Sequence, residues 1–366
     1  MKTGIANLPL HGGNAPKWLF DRMVKLAREI VIIIVEDFGP HEVLKKLSDP
    51  FWFQALGCVL GFDWHSSGVT TTTCGAIKEG IRGLEKETGI FIGGGKGKTS
   101  RNTPKEIDKY CNIIGLEAEP LIYASKMSAK VDSAAIQDGY QLYHHCFFFT
   151  KDSSWAVVQQ GMNEETRYAR RYHWLSEKVK EFTQEPHAAI CCDMRSESLN
   201  MVSKDSKEAR ESSVLLACEE PLFWEDEIKK IERLDLPSRH WVKREDIGNR
   251  YFKKILIKTY EENPKDYEEL LRIEGVGPKT VRSLSLLSEI IYGAKPSFED
   301  PARFSFAHGG KDGIPYPVDR ETYDRSIEIL RIWIERSKAE RTEKLRAFER
   351  LNKFTKTLTN PTLPLE

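Results

Sequence analysis

Tyr140-Gln-Leu-Tyr-His-His-Cys-Phe-Phe-Phe149, a polar break at Lys151-Asp-Ser-Ser154, and Trp155-Ala-Val-Val-Gln-Gln160 form two runs rich in aromatic and β-branched residues joined by a short turn. Runs of that kind, bounded by turn formers, predict the two strands of a β-hairpin. Before the hairpin, apolar residues recur mostly at helical spacing. Leu19, Met23, Leu26 and Ile30 follow Asn14-Ala-Pro16, with Asn14 as the expected cap. Gly39-Pro40 ends that helix, and a short one over 42–47 stops at Asp49-Pro50. The stretch 51–60 is apolar all round, the mark of a buried segment. A helix over 73–87 and a short strand over 89–92 come next, and Thr103-Pro104 opens a further helix with Asn102 or Thr103 as its cap. The expected fold is α+β: an N-terminal mixed domain with the hairpin in a small sheet, followed by an all-α C-terminal domain.

The 366 residues hold 55 Lys plus Arg and 55 Asp plus Glu. A length near twice that of one compact domain predicts more than one. Zero formal charge excludes an overall basic coat and leaves room only for a local basic face. The longest aliphatic run, Ile30 to Val35, is far short of the roughly 18 to 20 residues of a membrane span. The segment Met1 to Pro9, broken by Gly4, has no secretory core, so a cytoplasmic location is expected. Seven cysteines with no C-x-x-C spacing predict buried thiols rather than a disulfide framework or a zinc knuckle. Cys191 and Cys192, adjacent on an extended segment, would point to opposite faces.

The polar, serine-rich stretch 181–213, with a strand at 199–202, marks a loop-rich end to the first domain. The division is placed at 1–220 and 221–352, with 353–366 expected as a disordered tail. The second part is helical in pattern, with breaks at Pro237, Asn263-Pro264, Gly275 to Pro278 and Pro296 to Pro317. Its last helix starts near Asp319 and carries Tyr323, Ile327, Leu330 and Ile334 on one face.

Within it, Asn263-Pro264 opens a short helix, Leu270, Leu271 and Ile273 are its apolar residues, and Gly275-Val276-Gly277-Pro278-Lys279-Thr280 leads straight into a second helix. This resembles the helix-hairpin-helix motif, a hydrophobic residue between two glycines followed by Lys and Thr. The arrangement suits a phosphate: glycines let the backbone approach an anion, and the free N–H groups at the helix start face it with the positive end of the helix dipole behind them. Contacts of that type hold register without reading bases. Arg239 to Lys258 carries seven Lys or Arg against two acids. Lys243, Arg244, Lys253 and Lys254 are its candidates for following a phosphate backbone, with Trp241, Tyr251 and Phe252 interleaved.

The motif is shared with base-excision DNA glycosylases, and that resemblance implies a nucleophilic lysine just after the hairpin and an aspartate opening a later helix. Lys279 and Asp319 take those places here. Forty positions separate them, where those enzymes have about half as many, so an insertion is implied. The intervening stretch 304–317 holds His308, which suits proton transfer near neutral pH, and Lys311, a further phosphate contact.

Gly93-Gly94-Gly95-Lys96-Gly97-Lys98 follows a strand and precedes a helix, the context in which a backbone cradles phosphate, but its spacing is not that of a Walker A loop. Lys96 and Lys98 are therefore candidates for polynucleotide phosphate. Asp63, His65, Glu79, Asp138, His144 and His145 offer ligands for Mg2+, Mn2+ or Zn2+ in no recognisable metal spacing. Leu8-Pro-Leu-His11-Gly12, Asp49-Pro-Phe-Trp-Phe-Gln54, Asp63-Trp-His-Ser-Ser-Gly-Val-Thr-Thr-Thr72 and Phe304 through Arg320 resemble a family of archaeal and bacterial proteins catalogued as domain of unknown function 763. The expectation is a DNA-binding protein of repair or processing, with DNA as partner and no membrane. It is a glycosylase with lyase activity through Lys279 and Asp319, a nuclease whose divalent metal sits in the N-terminal domain, or a binding factor without chemistry. The sequence identifies neither the metal nor any other cofactor.

Overall fold

A computed structural model describes residues 15–62, 67–192, 195–220, 223–224, 250–302 and 320–359. The apolar periodicity gives α1 (Lys17–Phe38), which buries Met23, Leu26, Ile30 and Ile34. Gly39, at φ 82°, turns the chain into α2 (Pro40–Ser48). Asp49 then accepts from Phe51 N at 2.8 Å and Trp52 N at 3.0 Å and so caps α3 (Pro50–Leu60). As its composition requires, α3 is buried from Trp52 to Leu60. The helix expected over 73–87 begins earlier, as α4 (Gly68–Gly80), and is broken before α5 (Glu85–Thr88) by a turn with Gly83 at φ 83°.

A five-stranded antiparallel sheet forms the centre, in the order β1 (Ile90–Lys96), β3 (Gln141–Thr150), β4 (Trp155–Met162), β5 (Ala169–Leu175) and β6 (Ala189–Cys191). β2 (Ile136–Gln137) pairs separately with β7 (Leu199–Asn200). The hairpin read from the sequence is β3 and β4, turning at Lys151 to Ser154 with Ser153 at φ 66°. The fold is α+β, as expected.

The glycine run differs from its sequence reading. Gly93, Gly94 and Gly95 lie inside β1, which ends only at Lys96. A Cβ on Gly94, at φ 91°, would stand 2.2 Å from His145 O and 2.6 Å from Thr103 Oγ1, so the close approach of β3 and of the next helix demands glycine. Gly94 N already donates to Glu106 Oε2 at 2.6 Å, so this amide serves the fold and is not open to an anion.

Helices cover both faces of the sheet. On one face, α1 to α4 enclose Ile90, Ile92, Cys146, Phe148 and Val158 together with Leu330, Trp333 and Ile334 of α12 (Arg320–Arg336) and Ala347 and Leu351 of α13 (Arg341–Thr359). On the other, α6 (Thr103–Ile114), α7 (Glu119–Lys130), α8 (Lys207–Ala217), α9 (Arg250–Glu262), α10 (Tyr267–Arg272) and α11 (Pro278–Tyr292) share one apolar cluster with Phe91, Phe147, Val157 and Trp174. That core crosses the position 220/221 where the sequence places a boundary. α8 occupies a stretch read as loop-rich: its serines hide the helical pattern by turning inward, Ser213 Oγ donating to Ala209 O at 2.7 Å. Among the described residues no helix is long and apolar enough to cross a membrane.

Candidate functional site

The glycine turn lies at the surface between α10 and α11. Asp266, rather than Asn263, caps α10, accepting from Glu269 N at 2.8 Å while Glu269 Oε2 accepts from Lys265 N at 2.8 Å. Asn263, at φ 46°, follows the end of α9 instead. Gly275 has φ 96°, so the turn favours glycine by conformation, and a Cβ there would also press on the end of the Ile255 side chain, 2.3 Å from its Cδ1. Val276 is fully buried, and it fixes the turn against the core. Gly277, the residue before α11, faces open space among the described residues: of these, a Cβ would find only Gly275 O, at 3.9 Å. Gly277, as the N-cap residue, has no side chain to cap α11, and the first N–H groups of a helix have no acceptor within it. Pro278 and Lys279 are exposed and Thr280 is buried.

α9 runs beside this turn. Tyr251 Oη donates to Gly275 O at 3.3 Å and Lys258 Nζ to Glu274 O at 3.1 Å, seven residues apart on one helix face. Lys254, exposed, shares that side of the helix by its spacing, and Lys253 is exposed next to it. The structure thus brings Lys254, Gly275, Gly277 and Lys279 to one surface, with Lys253 exposed beside them and Val276 and Thr280 buried beneath. Lys96 and Lys98 are also exposed, at the far end of β1 and in the turn after it. Lys243, Arg244, His308, Lys311 and Asp319 lie outside the described residues, as do Asn14, Asp63 and His65.

The remaining candidates sit in the sheet, where doubled residues occur strand by strand: His144-His145, Gln159-Gln160, Arg170-Arg171 and Cys191-Cys192. Alternation sends one of each pair to each face. His144, Gln160, Arg171 and Cys191 stand in register across β3 to β6 and face α3 and α4. Arg171 donates to Gln54 Oε1 at 3.0 Å and to His173 Nε2 at 2.8 Å, and burial pulls its guanidinium down to about 10. His144 is 1% exposed with neither ring nitrogen hydrogen-bonded, and burial, followed by His145 and Lys96, lowers its pKa to about 3.

The opposite face carries a bonded chain. His145 lies 2.8 Å from Ser125 Oγ through Nε2 and 2.8 Å from Gln159 Oε1 through Nδ1. Burial depresses its pKa to about 4, against the opposing Gln159 bond. Gln159 Nε2 donates to Asp132 Oδ2 at 2.5 Å, Trp174 Nε1 donates to the same oxygen at 2.9 Å, and His187 Nε2 is 2.5 Å from Asp132 Oδ1. Burial raises the Asp132 carboxyl, with His187 and Trp174 opposing. Two donors that can only donate to Oδ2 favour the carboxylate, which orients His187 with its proton on Nε2. A second chain runs from Asp138 through Arg170, fully buried, to Asp300, at 2.9 and 2.6 Å. Asp138, a metal candidate, is thus engaged by Arg170 and by Tyr172 Oη at 2.7 Å. Among the described residues no group of three or more His, Cys, Asp or Glu is placed to hold a metal ion.

His187 and Asp300 line a cleft of about 500 Å³, with Asn200, Glu185, Asp205 and Glu299 among the other walls. Sequence reasoning missed Asp132, Arg170, His187 and Asn200, which sit far apart in the chain. The only signal was the doubling Arg170-Arg171, which a purely apolar core does not need; Asp132, His187 and Asn200 carried none.

A family model described as "Protein of unknown function (DUF763)" matches residues 4–318. Neither a curated protein nor a solved structure matches the chain.

Proposed function

The chain belongs to that family of proteins of unknown function, a membership that brings no chemistry with it, and from its residues we propose that it binds the phosphate backbone of DNA through the turn Gly275 to Thr280 and acts in DNA repair or processing. The observation that carries the reading is the surface turn itself. Val276 anchors it, Gly275 permits it, the space over Gly277 is open among the described residues, and α11 starts directly after it. An anion in that position meets backbone donors and the positive end of a helix. Lys254 and Lys279 supply charge on either side, and the phosphates of a duplex are the anions whose spacing engages a turn and a neighbouring helix together. Lys96 and Lys98 extend the same reading to a second basic surface.

The test is fluorescence anisotropy of a labelled duplex with the full chain across a salt series. Affinity that falls steeply with ionic strength, and that drops about tenfold in Lys254→Glu, supports the reading. A flat salt response with unchanged affinity in the variant overturns it.

A further inference from the structure

The cleft beside β6 and β7 has features that DNA binding at the hairpin does not use. Its His187 is tied through Nε2 to Asp132, and this leaves Nδ1 as the nitrogen available to a guest. The His187 side chain is 7% exposed and Asp132 is fully buried, so the orientation is fixed by the protein and not by solvent. The Trp174 ring, 4.3 Å from the imidazole, holds it from one side. On another wall, Asn200 is 6% exposed; its Nδ2 donates to Glu299 O at 3.2 Å, and its Oδ1 is buried with no partner among the described residues. A buried carbonyl oxygen without a donor is unfavourable, and a guest that donates would satisfy it.

Two acceptors therefore meet a cleft whose remaining charge is negative. Glu185, Asp205 and Glu299 stand on its walls against Lys204, whose Nζ is 3.0 Å from Glu185 Oε2. Asp300 is already committed to Arg170, to Ser196 N at 2.9 Å and to Ala302 N at 2.8 Å, so it stiffens the wall without offering a free oxygen. A phosphate is repelled by such walls. A metal ion lacks its ligand set, since among the described residues no three His, Cys, Asp or Glu converge. An organic ammonium fits each condition: it carries N–H donors for Asn200 Oδ1 and His187 Nδ1, and its charge matches the acidic walls.

We propose that this cleft is a binding site for a small organic ammonium, a primary amine or polyamine, held by Asn200 and His187 and independent of the hairpin. The test is titration of the full chain with spermidine and with n-butylammonium at constant ionic strength, read by the imidazole 15N resonances of His187 and by calorimetry. Saturable binding should shift the His187 Nδ1 resonance, while n-butanol, which lacks the charge, should bind at least tenfold more weakly. His187→Ala and Asn200→Ala should each weaken spermidine at least fivefold. Asn200→Asp should tighten it, a gain that a merely damaged fold does not produce. Lys204→Ala, which removes the competing cation, should also tighten it. Equal binding of butanol, unchanged affinity in both His187→Ala and Asn200→Asp, or displacement of the amine by stoichiometric Mg2+, Mn2+ or Zn2+ would each overturn the proposal.

Discussion

His144 and His145 are neighbours in one strand, equally buried, and they live in different chemistry. His144, on the face under α3 and α4, has no hydrogen-bond partner at either nitrogen. His145, on the face under α7, is held at both nitrogens, by Ser125 and Gln159, and through Gln159 it joins the chain that ends at Asp132 and His187. The same contrast separates Arg171, which ends on neutral acceptors, from Arg170, which links two carboxylates. A buried polar group is therefore not a uniform token: its partners decide whether it costs stability or specifies a geometry.

The largest test of that contrast is Arg170→Met. Removing the shared cation leaves Asp138 and Asp300 without their ionic partner, and a loss of about 3–5 kcal/mol in urea unfolding is expected. A loss below about 1 kcal/mol would show that the two carboxylates find other partners. Next comes the pair His145→Leu and His144→Leu. The first leaves Ser125 Oγ and Gln159 Oε1 without this partner and should cost about 2–4 kcal/mol. The second removes groups that bond to nothing and should change stability by less than about 1 kcal/mol. Equal costs would erase the distinction between the faces.

Proton linkage gives a gentler measure. Both histidines have folded-state pKa values, about 3 and about 4, below the ordinary value of 6.5. The unfolded chain thus takes up protons first, and stability, complete above pH 6.5, is lost as pH falls toward 4 and then 3. Each contributes a slope of up to about 1.4 kcal/mol per pH unit. His144→Leu should remove one share of this slope between pH 6 and 5. A slope identical to that of the unmodified chain would contradict the assignment. The smallest expected effect is at the hairpin, where Lys253→Glu should weaken a duplex by severalfold and lower the salt slope, without moving the urea midpoint.

Much of the first hairpin was legible because β3 and β4 are long, aromatic and separated by an ordinary turn. α1 was legible from periodicity, and the burial of α3 from its unbroken apolar run. The glycine run was misread because a flexible loop and a strand pressed against Thr103 and His145 ask for the same residue. α8 was missed because its buried serines satisfy themselves within the helix. The surface turn at Gly275 could be read in advance, since its glycine, anchor and helix start are contiguous. The cleft could not: Asp132, His187, Asn200 and Asp300 become neighbours only through the pairing of β2 with β7 and the placement of β6.

The most direct test of the central claim is to follow the backbone amides of Gly277, Lys279 and Thr280 by NMR while an unlabelled duplex is added at two salt concentrations. Shifts concentrated at these amides and in α9 near Lys254, and weakened at the higher salt, are the predicted result. A duplex that binds while leaving these amides unmoved would contradict it.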